Sequence, residues 1–360
     1  MTQDDSPAAE LVRSVLPALA VADYGRRLAD IAIDSFALLE LRLKLESALG
    51  VTIDDRDWVA LDSIDALLAH LESRTGAGLP AAASNADGGG PTACRSVLLN
   101  MPQMALGGLS ESWLFKQAGD LHWEMICSGL RARSHELVDG VGDRLYSTFT
   151  RLRLETSQPL VAFGENETLD MASTLSRFGQ GIYFSGTKAV CHGKTVQADV
   201  MSSFTKRGSL TNNTNLLKGQ PIIPEGCAIP PQAEMPPFGV QYRARRALDP
   251  GPALFETRYE IIPCHDINGV GLLYFAAYPS ISDICEIRYA GRGNRWACQT
   301  STICRDICYF ANCDIDDGIL YRVHARRDAE RWVDIESSLS RESDGRLMAY
   351  LVTRKALIDG

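Results

Sequence analysis

At 360 residues with 45% hydrophobic content, the chain suits two or three globular domains and lacks a disordered composition. Its net charge of −9 is uneven: residues 1–76 hold 14 Asp/Glu against 7 Lys/Arg, leaving −7 there, which points to contacts with basic protein surfaces and gives no support for nucleic-acid binding. No run of 18 apolar residues occurs, so no membrane span is expected, and the polar start Met1–Asp5 argues against a signal peptide.

Ten cysteines without a signal peptide suggest a reducing, cytoplasmic setting. Cys304, Cys308 and Cys313 form the tightest group, but their spacing is not a zinc pattern, and buried free thiols are the expectation. No metal site is expected.

In chain order, a first helix is predicted from Ala8 to Ala22. A loop then ends at Asp34-Ser35-Phe36, where Leu38, Leu39, Leu41, Leu43, Leu45 and Leu49 begin an apolar pattern at helical spacing. Read locally, Ser35 is an N-cap. The acidic turn Thr52–Asp55 and an amphipathic helix from Ser63 to Glu72 follow. The four-helix order, the D-S-F signature and the V-x-I-x-x-x-x-W turn at Val51–Trp58 together resemble an acyl carrier protein over residues 5–76. The resemblance implies that Ser35 carries 4'-phosphopantetheine, attached by a phosphopantetheinyl transferase. One departure is Ile33, where the family has glycine.

Residues 77–93 are rich in Gly, Ala and Pro and read as a flexible linker. A coil of this length spans roughly 20–25 Å on average and holds its two ends at about millimolar mutual concentration, so whatever follows is expected to act on Ser35 in cis.

From Cys94 the pattern changes to segments typical of antiparallel strands. Examples are Arg144 to Leu154, Ala189 to Met201, Ala253 to Ile262, Arg295 to Phe310, Leu320 to Ala325 and Leu347 to Leu357. Two apolar, glycine-led helices are predicted, one after Gly107-Gly108 and one after Asn268-Gly269, with Gly107 and Gly269 162 positions apart. The pairing suggests duplication of a unit in which a sheet wraps one helix. The expected fold class is thus an α four-helix carrier domain (1–76) followed by an α+β double hot-dog domain. Its first hot dog is 94–220, a proline-rich connection 221–252, in which Pro221 to Pro237 cannot form regular structure, and the second hot dog 253–360.

Five stretches carry a second resemblance: Met101 to Ile126, Gly142 to Leu154, Phe204 to Pro221, Asp266 to Glu286 and Arg305 to Asp314. Together they look like the double hot-dog acyltransferase/decarboxylase of the leinamycin pathway and its relatives in polyketide clusters. That family takes a methylmalonyl group from coenzyme A, removes carbon dioxide and leaves a propionyl group on a carrier. The resemblance implies a coenzyme A thioester as substrate, a polyketide condensing enzyme as downstream partner, and Tyr146 as the central residue. Tyr146 would act either as a nucleophile, with Arg144 or Lys206 supplying positive charge, or as a hydrogen-bond donor.

Decarboxylation leaves an enolate, whose charge fixed donors must meet. Gly107, Gly108 and Gly269, expected at helix N-termini, are candidate oxyanion donors. Asn212, Asn213 and Asn268 are uncharged donors suited to orienting a carboxylate that must leave as neutral carbon dioxide, which a tightly gripping cation would hinder. His265 with Gly269 begins the His-x3-Gly-x4-Pro pattern of polyketide dehydratases, but Tyr274 stands where the proline belongs. A dehydratase or thioesterase acting on a carrier-bound chain is therefore the alternative, and a non-catalytic docking protein a third. His122 reads as a core histidine.

Overall fold

The computed structural model describes residues 9, 12–13, 19–27, 41, 61–75, 90–106, 108–207, 213, 216–291, 293 and 295–358. The chain divides into two compact units, Met1–Asp87 and Gly88–Gly360. In the first, the Ser63 hydroxyl accepts from the Ala66 amide at 3.2 Å and opens helix α1, Ile64–Thr75. Ile64, Leu67, Leu68 and Leu71 of α1 form its buried stripe, and Ala9, Val12, Tyr24 and Leu41 are buried as well. The rest of the expected four-helix order, with Ser35, lies outside the described residues.

The second unit is built on one antiparallel sheet. Its strands are β1 (Thr92–Leu98), β2 (Tyr146–Thr156), β3 (Thr168–Phe178), β4 (Ile182–Cys191), β5 (Lys194–Arg207), β6 (Phe255–Glu260), β7 (Thr300–Tyr309), β8 (Gly318–Asp328), β9 (Trp332–Arg341) and β10 (Leu347–Leu357). Their order in space is β1-β3-β4-β5-β2-β7-β10-β9-β8-β6, and a short strand Leu216–Lys218 adds to β5. The second half repeats the first in reverse. Helix α2 (Glu111–Leu130) packs on the first half and α4 (Tyr278–Ala290), entered through a 3-10 turn Phe275–Ala277, on the second. Each half is hot-dog-like, one helix against a five-stranded sheet.

Local chemistry explains these elements. Burial alternates strictly from Thr168 to Leu175, which puts Leu169, Met171 and Leu175 on the helix-facing side of β3. Ser110 caps α2 by accepting from the Trp113 amide, and Arg131 ends it in the left-handed conformation at φ 53.

The halves are related by a pseudo-two-fold axis that the registers locate. The β2·β5 ladder shifts register between Phe149 and Arg151, and the β7·β10 ladder between Thr302 and Cys304. Matching the two bulges sets Phe149 on Thr302 and Ser202 on Lys355, both 153 positions on. By the same step Arg153 falls on Asp306, the residue it pairs with across the β2·β7 junction. The axis passes between them. On the helix side Ser112 donates to the Ala276 carbonyl at 3.1 Å. Setting residue 112 on 276, 164 positions on, also sets Glu111 on Phe275, Gly119 on Asp283 and His122 on Glu286.

Several expected boundaries move. Strand β1 begins at Thr92, inside the segment read as linker. The stretch Ala189 to Met201 is a hairpin, not one strand: it turns at His192 and Gly193, both with positive φ. The second helix begins at Tyr278, nine residues after Gly269, which lies in a turn. Pro221 to Pro236 has no helix or ladder strand, as expected, and a third helix, α3 (Pro237–Arg246), follows it. No helix among the described residues is long and apolar enough to cross a membrane.

Candidate functional site

Where the first turn of α2 meets the second half, a partly enclosed chamber of about 180 Å³ opens between them. Leu106, Leu109 and Glu111 line it from one half; Ile287, Trp296, Thr302 and Lys355 line it from the other. Beneath it lies a cluster of charge in which Glu111, Glu286, Arg305 and Lys355 are buried and the Asp283 side chain is 40% exposed. The Arg305 side chain is fully buried and meets Glu111 at 2.7 Å, Asp283 at 2.6 Å and Glu286 at 3.4 Å. Lys355 reaches Asp283 at 2.6 Å and Glu286 at 2.7 Å. The Thr302 hydroxyl donates to Glu111 at 2.7 Å.

Burial alone would push the Asp283 carboxyl up, but the neighbouring Lys355 and Arg305 outweigh it and hold it at about 2. Burial would likewise lower the Arg305 guanidinium, yet Glu111, Asp283 and Glu286 drive it well above its ordinary value. Three carboxyl groups face two cations, so the cluster carries one formal negative charge.

The axis puts a second set of residues in the same arrangement, and there the chemistry is different. Phe275 stands where Glu111 stands, Phe149 in the place of Thr302, Ser202 in that of Lys355, and Leu152 in that of Arg305. The Phe149 and Phe275 rings pack at 4.1 Å and fill this space. His122, the counterpart of Glu286, is fully buried with Ser185 and Ser202 hydroxyls at 2.7 Å from its two ring nitrogens, and burial lowers its pKa to about 3. It is a core histidine, as expected. The fold therefore closes without buried charge at these positions. Buried ion pairs are weak contributors to stability in any case, so the charged set calls for a functional account.

Gly119 shows how tightly the filled side is packed. A Cβ built there lies 2.5 Å from the Phe275 ring tip and 3.2 Å from Phe149. Although alanine is the better helix former, Gly119→Ala should destabilise the chain by about 1–3 kcal/mol, seen as a lowered thermal midpoint.

The residues singled out in the sequence gather elsewhere, and only in part. Tyr146 opens β2 opposite Thr205, half-buried, with the Arg144 guanidinium 5.1 Å from its ring centre. Strand alternation sets it on the face away from Phe204 and Phe149, whose side packs on α2, and it does not line the chamber. Lys206 is held by Asp139 at 2.8 Å and Asp143 at 2.6 Å, so it is committed to those carboxylates. The loops of Asn213 and Asn268 do meet across the halves: Asn213 donates to the Gly271 carbonyl at 2.6 Å, and Arg207 to that of Val270. The Asn268 side chain, however, accepts from the amides of Val270 and Leu272, which makes it a turn former.

Gly108 and Gly269 are not at helix N-termini. Gly108, at φ +100, lies in a two-residue strand against the backbone of Leu160 and Val161, where a Cβ would sit 2.3 Å from it. It serves close packing, and Gly269 lies in its turn, so neither of these two has the helix N-terminus on which its oxyanion role was expected. His265 is 60% exposed and touches the buried Asp266 at 2.7 Å, on the surface and away from the chamber. Gly107 and Asn212, like Ser35, lie outside the described residues.

The sequence reading did not single out Glu111, Asp283, Trp296, Arg305 or Lys355. One signal was available. Arg305 stands with Asp306 inside the Thr300–Tyr309 strand, and a charge inside a central strand must be answered by another.

Residues 9–71 match the phosphopantetheine attachment site family. The first unit carries a phosphopantetheine carrier domain. No curated protein matches the chain. Among solved structures, an oleoyl thioesterase from Lactobacillus plantarum superposes with a TM-score of 0.54 at 8% identity, covering 75% of this chain and 97% of its own. The 12:0-ACP thioesterase from Umbellularia californica gives 0.53 at 10% identity, over 73% and 93%. At such identities the likeness is one of fold: a carrier domain is joined to a thioesterase-like hot-dog unit.

Proposed function

We propose that this chain loads a short acyl group onto its own carrier domain. It takes a malonyl- or methylmalonyl-type group from coenzyme A, decarboxylates it and leaves acetyl or propionyl on the arm at Ser35. The observation that carries this reading is the joining, in one chain, of a phosphopantetheine attachment domain to a hot-dog-like unit. The phosphopantetheine group, when bound at Ser35, supplies the thiol on which the product is held as a thioester. The five stretches that resemble the acyltransferase/decarboxylase family support the reaction class.

Chamber size agrees. A cavity of about 150 Å³ holds one benzene, so 180 Å³ admits an acyl group of about six heavy atoms.

Weighing the intact phosphopantetheinylated chain after incubation with malonyl- or methylmalonyl-coenzyme A tests the reading. The expected adduct is lighter than the offered acyl group by one carbon dioxide and is absent from a Ser35→Ala chain. An adduct that keeps the full malonyl mass, or none, counts against it.

A further inference from the structure

We infer that the exposed face of helix α3 is the docking surface for the chain's own acidic carrier domain, with Arg243 and Arg246 as its charged contacts. This rests on the reading above that the second unit serves its carrier in cis, and it names the surface that does so.

Helix α3 lies in the connection between the halves and so has no counterpart in the repeat. Leu152 and Ile307 point into the core with α2 and α4, so Arg151 and Asp306, their strand neighbours, stand on the opposite face of the sheet. There they pin one side of α3. The fully buried Arg151 guanidinium donates to the Phe238 carbonyl at 2.8 Å and to the Gln241 side chain at 3.0 Å, and lies 4.0 Å from the Phe238 ring centre. Tyr242 donates to the Tyr309 carbonyl at 3.0 Å, and Arg245 meets Asp306 at 3.0 Å.

The other side of the helix is left to solvent. Val240 and Leu248 are each 53% exposed, four positions either side of the exposed Ala244, which makes an apolar stripe at helical spacing. Arg243 and Arg246 are exposed beside it, α3 contains no acid, and neither arginine has a carboxylate partner among the described residues. Two unanswered cations next to apolar side chains fit an acidic protein surface. The chain carries one. Residues 1–76 hold −7 of its −9 net charge, and from Asp30 to Asp57, the stretch around Ser35, seven Asp/Glu stand against three Lys/Arg.

Reach agrees as well. The tether enters the second unit at Gly90, where a Cβ would strike Pro230, and α3 begins seven positions after that proline. Across the sheet β1 and β2 are four strands apart, about 19 Å at about 4.8 Å each, within the roughly 20–25 Å that the tether spans. At about millimolar local concentration a weak, salt-sensitive contact suffices, and it lets the carrier leave again.

Two double variants of the full phosphopantetheinylated chain test this. Arg243→Lys with Arg246→Lys keeps the charge and puts amines on α3, which a zero-length carbodiimide should join to carboxylates of residues 1–76. Run on a mixture of unlabelled and nitrogen-15 chains, the linked peptides should be of one label only. Arg243→Glu with Arg246→Glu should load Ser35 from malonyl-coenzyme A about tenfold more slowly than the parent at low salt, a gap that narrows at about 1 M salt. Links that join labelled to unlabelled chains would assign the surface to a second copy and overturn the inference, as would links confined to residues 77–360. If the parent loads Ser35, the charge-reversed chain loads it equally fast and no link to residues 1–76 forms, this inference fails and the proposed function stands. If those links form within one chain and malonyl-coenzyme A loads nothing, the docking surface stands and the proposed chemistry fails.

Discussion

Arg305→Met is expected to destabilise the second unit by about 3–5 kcal/mol, because it leaves Glu111, Asp283 and Glu286 with Lys355 as their one remaining cation. For a unit of this size that corresponds to a thermal midpoint lower by roughly 10 °C. The size of the effect comes from stranding the buried Glu111 and Glu286 carboxylates and not from the worth of the ion pairs. Adding Glu111→Gln to Arg305→Met should therefore recover part of the loss, a coupling that a double-mutant cycle reads directly. The pseudo-symmetric half supplies the control within the molecule. Leu152, at the position equivalent to Arg305, is fully buried and opposite Val200, and needs no partner charge. An Arg305→Met chain that melts with the parent would show the cluster to be water-filled, and the chamber's low-dielectric character would go with it.

How much of this was legible in the sequence depends on how local each signal is. Strand β10 was read with its observed bounds because Leu347–Leu357 opens on an apolar run directly after the polar turn at Glu342–Asp344. The β4–β5 hairpin was missed because it turns on His192-Gly193 and not on the Asn-Gly or Asp-Gly pair that marks such turns. The second helix was started too early because Leu272–Ala277 is as apolar as a buried helix, although Pro279, in the first turn of α4, was a usable marker of the true start. Duplication was visible through the glycine-led segments, at an offset of 162 where the packing gives 164 for the helices and 153 for the strands. The chamber was not visible, since Glu111 and Lys355 come together only after the two halves close about their axis. Nor does any local pattern tell a turn-forming asparagine from one facing a ligand; Asn268 proved to be the former.

His122 should make the second unit sensitive to mild acid. Burial lowers its pKa to about 3 from an ordinary 6.5, so the neutral ring is the form that the fold accepts. A depressed pKa contributes stability that is fully present above about 6.5 and is lost as pH falls toward 3, since the unfolded chain takes up a proton that the folded one refuses. From pH 8 to pH 5 the loss should be about 2 kcal/mol, with a slope approaching 1.36 kcal/mol per unit at the lower end. The carboxylates held low, such as Glu167 at about 2 beside Lys194, keep their stabilising contribution above the ordinary carboxylate range and lose it only as pH falls through that range. The interval from pH 6.5 to 5 therefore isolates the histidine. Denaturant unfolding of the full chain, followed by sheet circular dichroism at a series of pH values, should show this decline in the parent and a much flatter profile in His122→Gln. The variant starts from lower stability, because glutamine does not reproduce both serine contacts, and it is the change in slope that reports on the ring. Equal slopes would mean that His122 takes up its proton in the folded state, and that water reaches the filled side of the axis.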